Sequence, residues 1–142
     1  MKIIPVREPL SRLPLHLFTH RVRAGFPSPA DDYIEQPLDL NEHLIRHPAA
    51  TYYARAQGDS MLQLGIYDGD LLVVDRSLEA HHGDVVIAAV NGELTCKVLD
   101  TRLGRLLSGN NDFPPIPCTG DTELVVEGVV IASIRYHRVC AG

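Results

Sequence analysis

Asp84–Leu99 reads DVVIAAVNGELTCKVL, and it decides the fold. Asp84–Val90 is an apolar run the length of one buried strand, bounded by Gly83 and by Asn91-Gly92. Asn-Gly suits the two left-handed positions of a type I′ turn, so Val85–Val90 and Glu93–Leu99 are predicted to form a hairpin. Working outward, Asp70–Asp75 (DLLVVD) is a second buried-strand run behind Gly69. Thr51–Gln57 is β-prone and ends at Gly58, and Gly104–Ser108 is a short strand. Asn110–Gly120 is a proline-rich loop. Leu124–Tyr136 supplies one or two final strands, with Gly128 marking a bulge or bend. The expected class is mainly β, a compact, folded-over assembly of antiparallel sheets with one or two short helices.

The N-terminal part reads differently. Pro5, Pro14, Pro27, Pro29 and Pro37 exclude a long helix from residues 1–37 and favour an extended arm. Residues 38–47 suit one short helix. Asp39 is its N-cap, Glu42 completes a capping box and Pro48 ends it, with Leu40, Leu44 and Ile45 as its buried face. Ser60–Ile66 fits a helical turn or two closed by Gly65. The expected organisation is an arm, 1–37, followed by a β-rich domain, 38–142.

With 142 residues and 45% hydrophobic side chains, the chain is expected to be one soluble domain. Its net charge of −5 argues against general, strong direct DNA binding. Residues 1–24 carry five basic side chains and one acid, whereas the remainder carries eight basic and seventeen acidic. A basic arm on an acidic body favours the arm folding back; the alternative is a tail that binds DNA weakly. No apolar run reaches the roughly 20 residues of a membrane span. Pro5, Glu8, Pro14 and His16 interrupt any signal-like stretch, so a cytoplasmic protein with no membrane association is expected. Cys96, Cys118 and Cys140 form no CxxC, so they read as reduced packing residues rather than disulfide or metal ligands.

Three features carry chemistry. Ser60, in Gly58-Asp59-Ser60-Met61, follows a glycine at a strand-to-helix turn. It reads either as an exposed nucleophile or as a helix N-cap. If a helix begins there, the amides of Asp59 and Ser60 can converge on one oxyanion. Lys97 is the only lysine after Lys2, and a buried lysine, unlike arginine, can lose its proton. Simple alternation places it with Glu93, Thr95 and Leu99, the more polar strand face, opposite Leu94, Cys96 and Val98. A solvated strand lysine therefore stands beside a desolvated base. Ala24-Gly25, between Val22-Arg23 and Phe26-Pro27, is either a bond that threads into a narrow protease cleft or an ordinary linker kink. Lesser candidates are His43 and His47 at helical i, i+4 spacing, His81-His82 in a turn, and Asp68 and Asp70 around Gly69. No phosphate-binding glycine motif occurs, and neither metal nor cofactor is expected.

Taken together these stretches resemble the LexA/UmuD family of self-cleaving bacterial SOS proteins, and within it the UmuD-like members. The resemblance is collinear and nearly full-length. It runs through Ala24-Gly25-Phe26-Pro27-Ser28-Pro29-Ala30, Gly58-Asp59-Ser60-Met61, Asp68–Asp75, His82–Val90 and Lys97. It implies a β-rich Ser–Lys peptidase with a cleavable N-terminal arm, with Ser60 as nucleophile and Lys97 as general base. Ala24-Gly25 would be the cleaved bond, and the Asp59 and Ser60 amides the oxyanion donors. It further implies a homodimer and self-cleavage stimulated by RecA filaments on single-stranded DNA. The cleaved form would assist a UmuC-like Y-family polymerase in translesion synthesis. The best-known UmuD has cysteine where Ala24 stands, but Ala-Gly is the bond cut in LexA-type repressors. The resemblance is weakest in Asn110–Gly120 and the C-terminal tail.

Three rival readings follow from the same residues. A LexA-type repressor needs a helix-turn-helix unit, which the prolines of residues 1–37 oppose. A signal peptidase shares Ser–Lys chemistry but needs a membrane anchor. A non-enzymatic β-rich polymerase or RecA-binding accessory would leave Ser60 and Lys97 inert.

Overall fold

A computed structural model of the chain describes residues 2–5, 10–18 and 35–138. Ala24-Gly25 and Cys140 lie outside the described residues. Ten strands occur in chain order: β1 (Lys2–Pro5), β2 (Pro14–Phe18), β3 (Glu35–Asp39), β4 (Thr51–Arg55), β5 (Leu71–Asp75), β6 (Val85–Val90), β7 (Glu93–Asp100), β8 (Arg105–Leu107), β9 (Ile116–Pro117) and β10 (Leu124–Ile134). One α-helix, α1 (Leu40–Leu44), and two 3₁₀ turns, Pro48–Ala50 and Leu62–Leu64, complete the elements. The protein is mainly β, as its apolar runs and turn residues predict. Among the described residues no helix is long and apolar enough to cross a membrane.

The described residues divide into two compact units, one holding β1 with everything from His47 onward, the other ending at Arg46. In the smaller unit β2 pairs antiparallel with β3, so residues 14–18 and 35–39 are extended, as their prolines require, but paired. Asp39 ties this unit together. Its carboxylate accepts from the Asn41 amide to cap α1 and from the Leu13 amide, each at 3.0 Å. α1 is half the expected length, and Leu40, expected to be buried, is 57% exposed. A five-residue helix has too few turns to present a continuous buried stripe, and only Ile45, just past its end, is buried.

In the larger unit the strand order is β1-β4-β5-β10-β6-β7-β8-β9, antiparallel throughout. The β6–β7 hairpin turns at Asn91 (φ 49°) and Gly92 (φ 83°), the two left-handed positions of a type I′ turn. β6 is buried on both faces. Ile87 joins a core of Tyr52, Ala54, Met61, Ile66, Leu72, Val74 and Cys96, while Val86 and Ala88 join Leu106 and Val129 in a second core. Two-sided burial explains why the run is continuously apolar rather than alternating.

β10 holds these halves together. Its residues 124–129 pair with β6 and 129–134 with β5, with register shifts between Val126 and Gly128 and between Val130 and Ala132. The expected bulge is thus at Gly128, where the chain passes very close to β5. A Cβ on Gly128 would sit 2.5 Å from Val74 Cγ1 and 3.3 Å from the Tyr52 hydroxyl. That hydroxyl donates to the Glu127 carbonyl beside the bulge. Gly128→Ala is therefore expected to overpack the larger core and cost about 1–3 kcal/mol. The check is calorimetry, in which Tm should fall by several degrees; an unchanged Tm would show that β5 can move aside.

Candidate active site

The site begins where β4 leaves the sheet. Gly58 has φ 87°, a left-handed conformation that turns the chain sharply toward Ser60. The Gly58 amide donates to Asp68 Oδ1 at 2.8 Å, so the aspartate ahead of the β5 strand anchors the turn. Met61, 3% exposed, drops into the larger core and fixes the other side. The 3₁₀ turn starts at Leu62 with Met61 as its N-cap residue and closes at Gly65 in the left-handed region. The sequence allows helical structure from Ser60, with serine either its N-cap or an exposed nucleophile. Ser60 instead lies one residue too early to cap, which leaves its hydroxyl available to another partner.

That partner is Lys97. Its Nζ lies 3.0 Å from Ser60 Oγ and donates to the Cys96 carbonyl at 3.1 Å. Lys97 is only 8% exposed, so of the two readings the buried lysine is the one the structure matches, on the face that alternation gave it. In β7 its cross-strand neighbour is Val86, and that of Thr95 is Ala88. Directly opposed residues share a face, and Val86 and Ala88 belong to the second core. The polar look of Glu93, Thr95 and Lys97 along one strand concealed the apolar residues that β6 sets beside them.

The electrostatics follow from this burial. Desolvation lowers the Lys97 pKa from its ordinary value, because the ammonium loses water that the interior does not replace. No carboxylate among the described residues forms an ion pair with it to restore the charge. Burial also pushes the adjacent Cys96 thiol up to about 11, so it stays neutral and leaves Lys97 without an anionic neighbour. A cleft of about 170 Å³ is lined by Ser60 and Lys97 together with Gln57, Gly58, Ile66, Leu94 and Thr95. A hydroxyl touching a dry amine at the floor of a narrow, partly apolar cleft is an arrangement suited to acyl transfer.

Other candidates resolve into structural contacts. His47 lies beyond α1, not on one helical face with His43, and its Nδ1 is 2.6 Å from Asp75 Oδ2. Asp75 also accepts from the Ser77 amide and hydroxyl. Burial raises the Asp75 pKa, but these hydrogen bonds outweigh it and hold the carboxyl below its usual value. Asp70 pairs with Arg135, which stacks on the Tyr67 ring with its guanidinium carbon 3.6 Å from the centroid. His82 Nδ1 accepts from the Thr101 amide at 3.2 Å. Among the described residues no group of three His, Cys, Asp or Glu side chains converges as a metal site would. Sequence reasoning missed the support of the turn by Asp68, and by Gly109 and Asn110. The latter fall in or beside the segment where the resemblance is weakest, and only the clustering of Gly and Asn hinted at a close approach.

Comparison with known proteins bears on the whole arrangement. The Peptidase S24-like family matches residues 16–131, which include β4–β9, Ser60 and Lys97. Protein ImpA of Escherichia coli is 49% identical over 122 residues, covering 86% of this chain and 84% of ImpA. Protein SamA of Salmonella typhimurium is 47% identical over 137 residues, covering 96% of this chain and 95% of SamA. The LexA repressor of Xylella fastidiosa is 39% identical over 133 residues, covering 92% of this chain but 61% of the repressor. Near-half identity over most of two relatives, together with a family match spanning the site, leads to one assignment: the chain belongs to the Peptidase S24-like family, as a UmuD-like member.

Proposed function

We propose that this chain is a self-cleaving serine peptidase that cuts its own arm at Ala24-Gly25. The observation that carries the reading is the 3.0 Å approach of Ser60 Oγ to a buried Lys97 Nζ. Neutral Lys97 accepts the Ser60 proton as Oγ attacks the Ala24 carbonyl carbon. The amides of Asp59 and Ser60, which have no acceptor among the described residues, hold the tetrahedral oxyanion. Collapse breaks the Ala24–Gly25 bond, and the Lys97 ammonium delivers its proton to the Gly25 nitrogen. The acyl group then rests on Ser60 Oγ. Lys97 takes a proton from water, whose oxygen attacks the ester carbonyl, and returns it to Oγ as the Ala24 carboxylate leaves. The Cys96 carbonyl accepts one Nζ hydrogen throughout and aims the lone pair at Ser60. No metal or cofactor is needed.

The substrate segment belongs to residues 1–37, read as the cleavable arm of the peptidase domain 38–142. It is supplied by the same chain or by the partner in a homodimer. Tethering supplies a high local concentration, so tight binding is unnecessary. A RecA filament on single-stranded DNA would accelerate the reaction by favouring the docked arm. The cleaved dimer, beginning at Gly25, would serve a UmuC-like Y-family polymerase in SOS translesion synthesis in the cytoplasm. The similarity to ImpA and SamA supports this biological setting.

The pH dependence carries a defined sign. Lys97 acts as a base only when neutral, and burial lowers its pKa from 10.5. Self-cleavage without RecA should therefore rise with pH, with a midpoint below 10.5 and a plateau above that midpoint; a flat rate between about pH 6 and 10 would remove the lysine from the role of base. Ser60→Ala and Lys97→Ala should each slow the appearance of the Gly25 N-terminus by at least ~10²-fold, measured by mass spectrometry, with unchanged circular dichroism. Cleavage of Lys97→Ala at the parental rate would refute its assignment. Gly25→Glu should block cleavage by placing a bulky charge at the bond, and processing at an unchanged rate would place the bond elsewhere.

A further inference from the structure

Behind the Ser60 turn, the segment after β8 approaches closely enough to touch it at three points. The Gly109 carbonyl accepts from the Gln63 amide at 2.6 Å, and the Gly109 amide donates to Met61 Sδ at 3.3 Å. The third contact runs from Asn110 Nδ2 to the Asp59 carbonyl at 2.8 Å. Glycine suits this approach, since a Cβ at 109 would lie 3.0 Å from Met61 Cα and 3.1 Å from Leu64 Cγ, and those neighbours would have to give way by a few tenths of an ångström. The Asn110 carboxamide has a fixed orientation. Its Oδ1 accepts from the Asp112 amide at 3.0 Å, so its NH₂ end faces Asp59.

The Asp59 carbonyl and the Ser60 amide belong to one planar trans peptide, in which C=O and N–H point in opposite directions. A donor that fixes the carbonyl on one side therefore fixes the N–H on the other. The Gly58 amide is tied to Asp68 and Met61 is held in the core, so the Asp59–Ser60 peptide is the link between two anchored ends. Without a donor on its carbonyl this peptide is free to rotate. Hydrogen bonding at the carbonyl also polarises the peptide and strengthens its N–H as a donor.

We propose that Asn110 is a positioning residue for self-cleavage: its carboxamide holds the Asp59 carbonyl so that the Ser60 amide points at the developing oxyanion. Asn110 acts through that peptide: its described side-chain hydrogen bonds go to the Asp59 carbonyl and the Asp112 amide. The inference rests on the self-cleaving reading of the same site, and the experiment separates the two.

The test uses full-length protein, with self-cleavage rates recorded across alkaline pH for the parent, Asn110→Asp and Asn110→Ala. Asn110→Asp keeps an acceptor for the Asp112 amide and preserves the local turn, but it loses the donor. Both variants should lower the high-pH plateau by about tenfold or more, a smaller loss than the roughly 10²–10³-fold of removing an oxyanion donor itself. In Asn110→Ala the pH midpoint should not move, because Lys97 and its surroundings are untouched. A residue that merely held the fold would disturb the Ser60–Lys97 contact, moving the midpoint with the plateau and lowering Tm. Plateaus within twofold of the parent for both variants, or a midpoint displaced in Asn110→Ala, would overturn the proposal while leaving self-cleavage standing. A parent chain that never yields a Gly25 N-terminus would overturn both.

Discussion

The candidate site depends on keeping one amine dry. Lys97 projects from a strand whose two faces are covered by separate apolar cores, and its carbonyl partner is the residue before it on the same strand. Burying an ammonium is costly, and among the described residues no carboxylate pairs with it, so the equilibrium shifts toward the neutral amine. The same desolvation that makes Lys97 a poor cation favours the neutral amine that the proposed reaction requires. Everything that closes the two cores, above all β10 crossing between β5 and β6, therefore also acts on this group.

Ser60 is held by a different strategy. Ser60 is in no regular element; it lies on a turn anchored by the Gly58–Asp68 hydrogen bond, the buried Met61 and the Gly109–Asn110 segment. A helix or strand would have tied up the neighbouring amides in its own ladder. A turn anchored from outside leaves them free to face a ligand while remaining rigid. The strand supplies a buried amine and the turn a hydroxyl, and the two meet across a 3.0 Å gap.

The smaller unit shows how little apolar burial a short segment achieves. Leu13, Leu15, Leu17 and Leu40 are all more than 40% exposed, and the unit depends instead on Asp39, which caps α1 and ties it to the residue before β2. A two-stranded ribbon and one helical turn offer few positions that can be covered from all sides.

Most of the β framework was legible because local chemistry and global structure agree. Asn91-Gly92 demands a type I′ hairpin, DLLVVD and VVIAAV are too apolar for an exposed position, and Gly128 marks the one place where β10 has no room for a side chain. The sequence by itself determined these turns and strands, and it singled out Ser60 and Lys97 as residues with latent chemistry. It could not tell a nucleophile from an N-cap, or a dry lysine from a solvated one. Those distinctions depend on neighbours distant in the chain: Val86 across from Lys97, Asp68 beneath Gly58, and Asn110 behind Asp59. Alternation along one strand reports only that strand's own side chains, whereas desolvation depends on every atom packed around a group. Only the tertiary structure brings those atoms together.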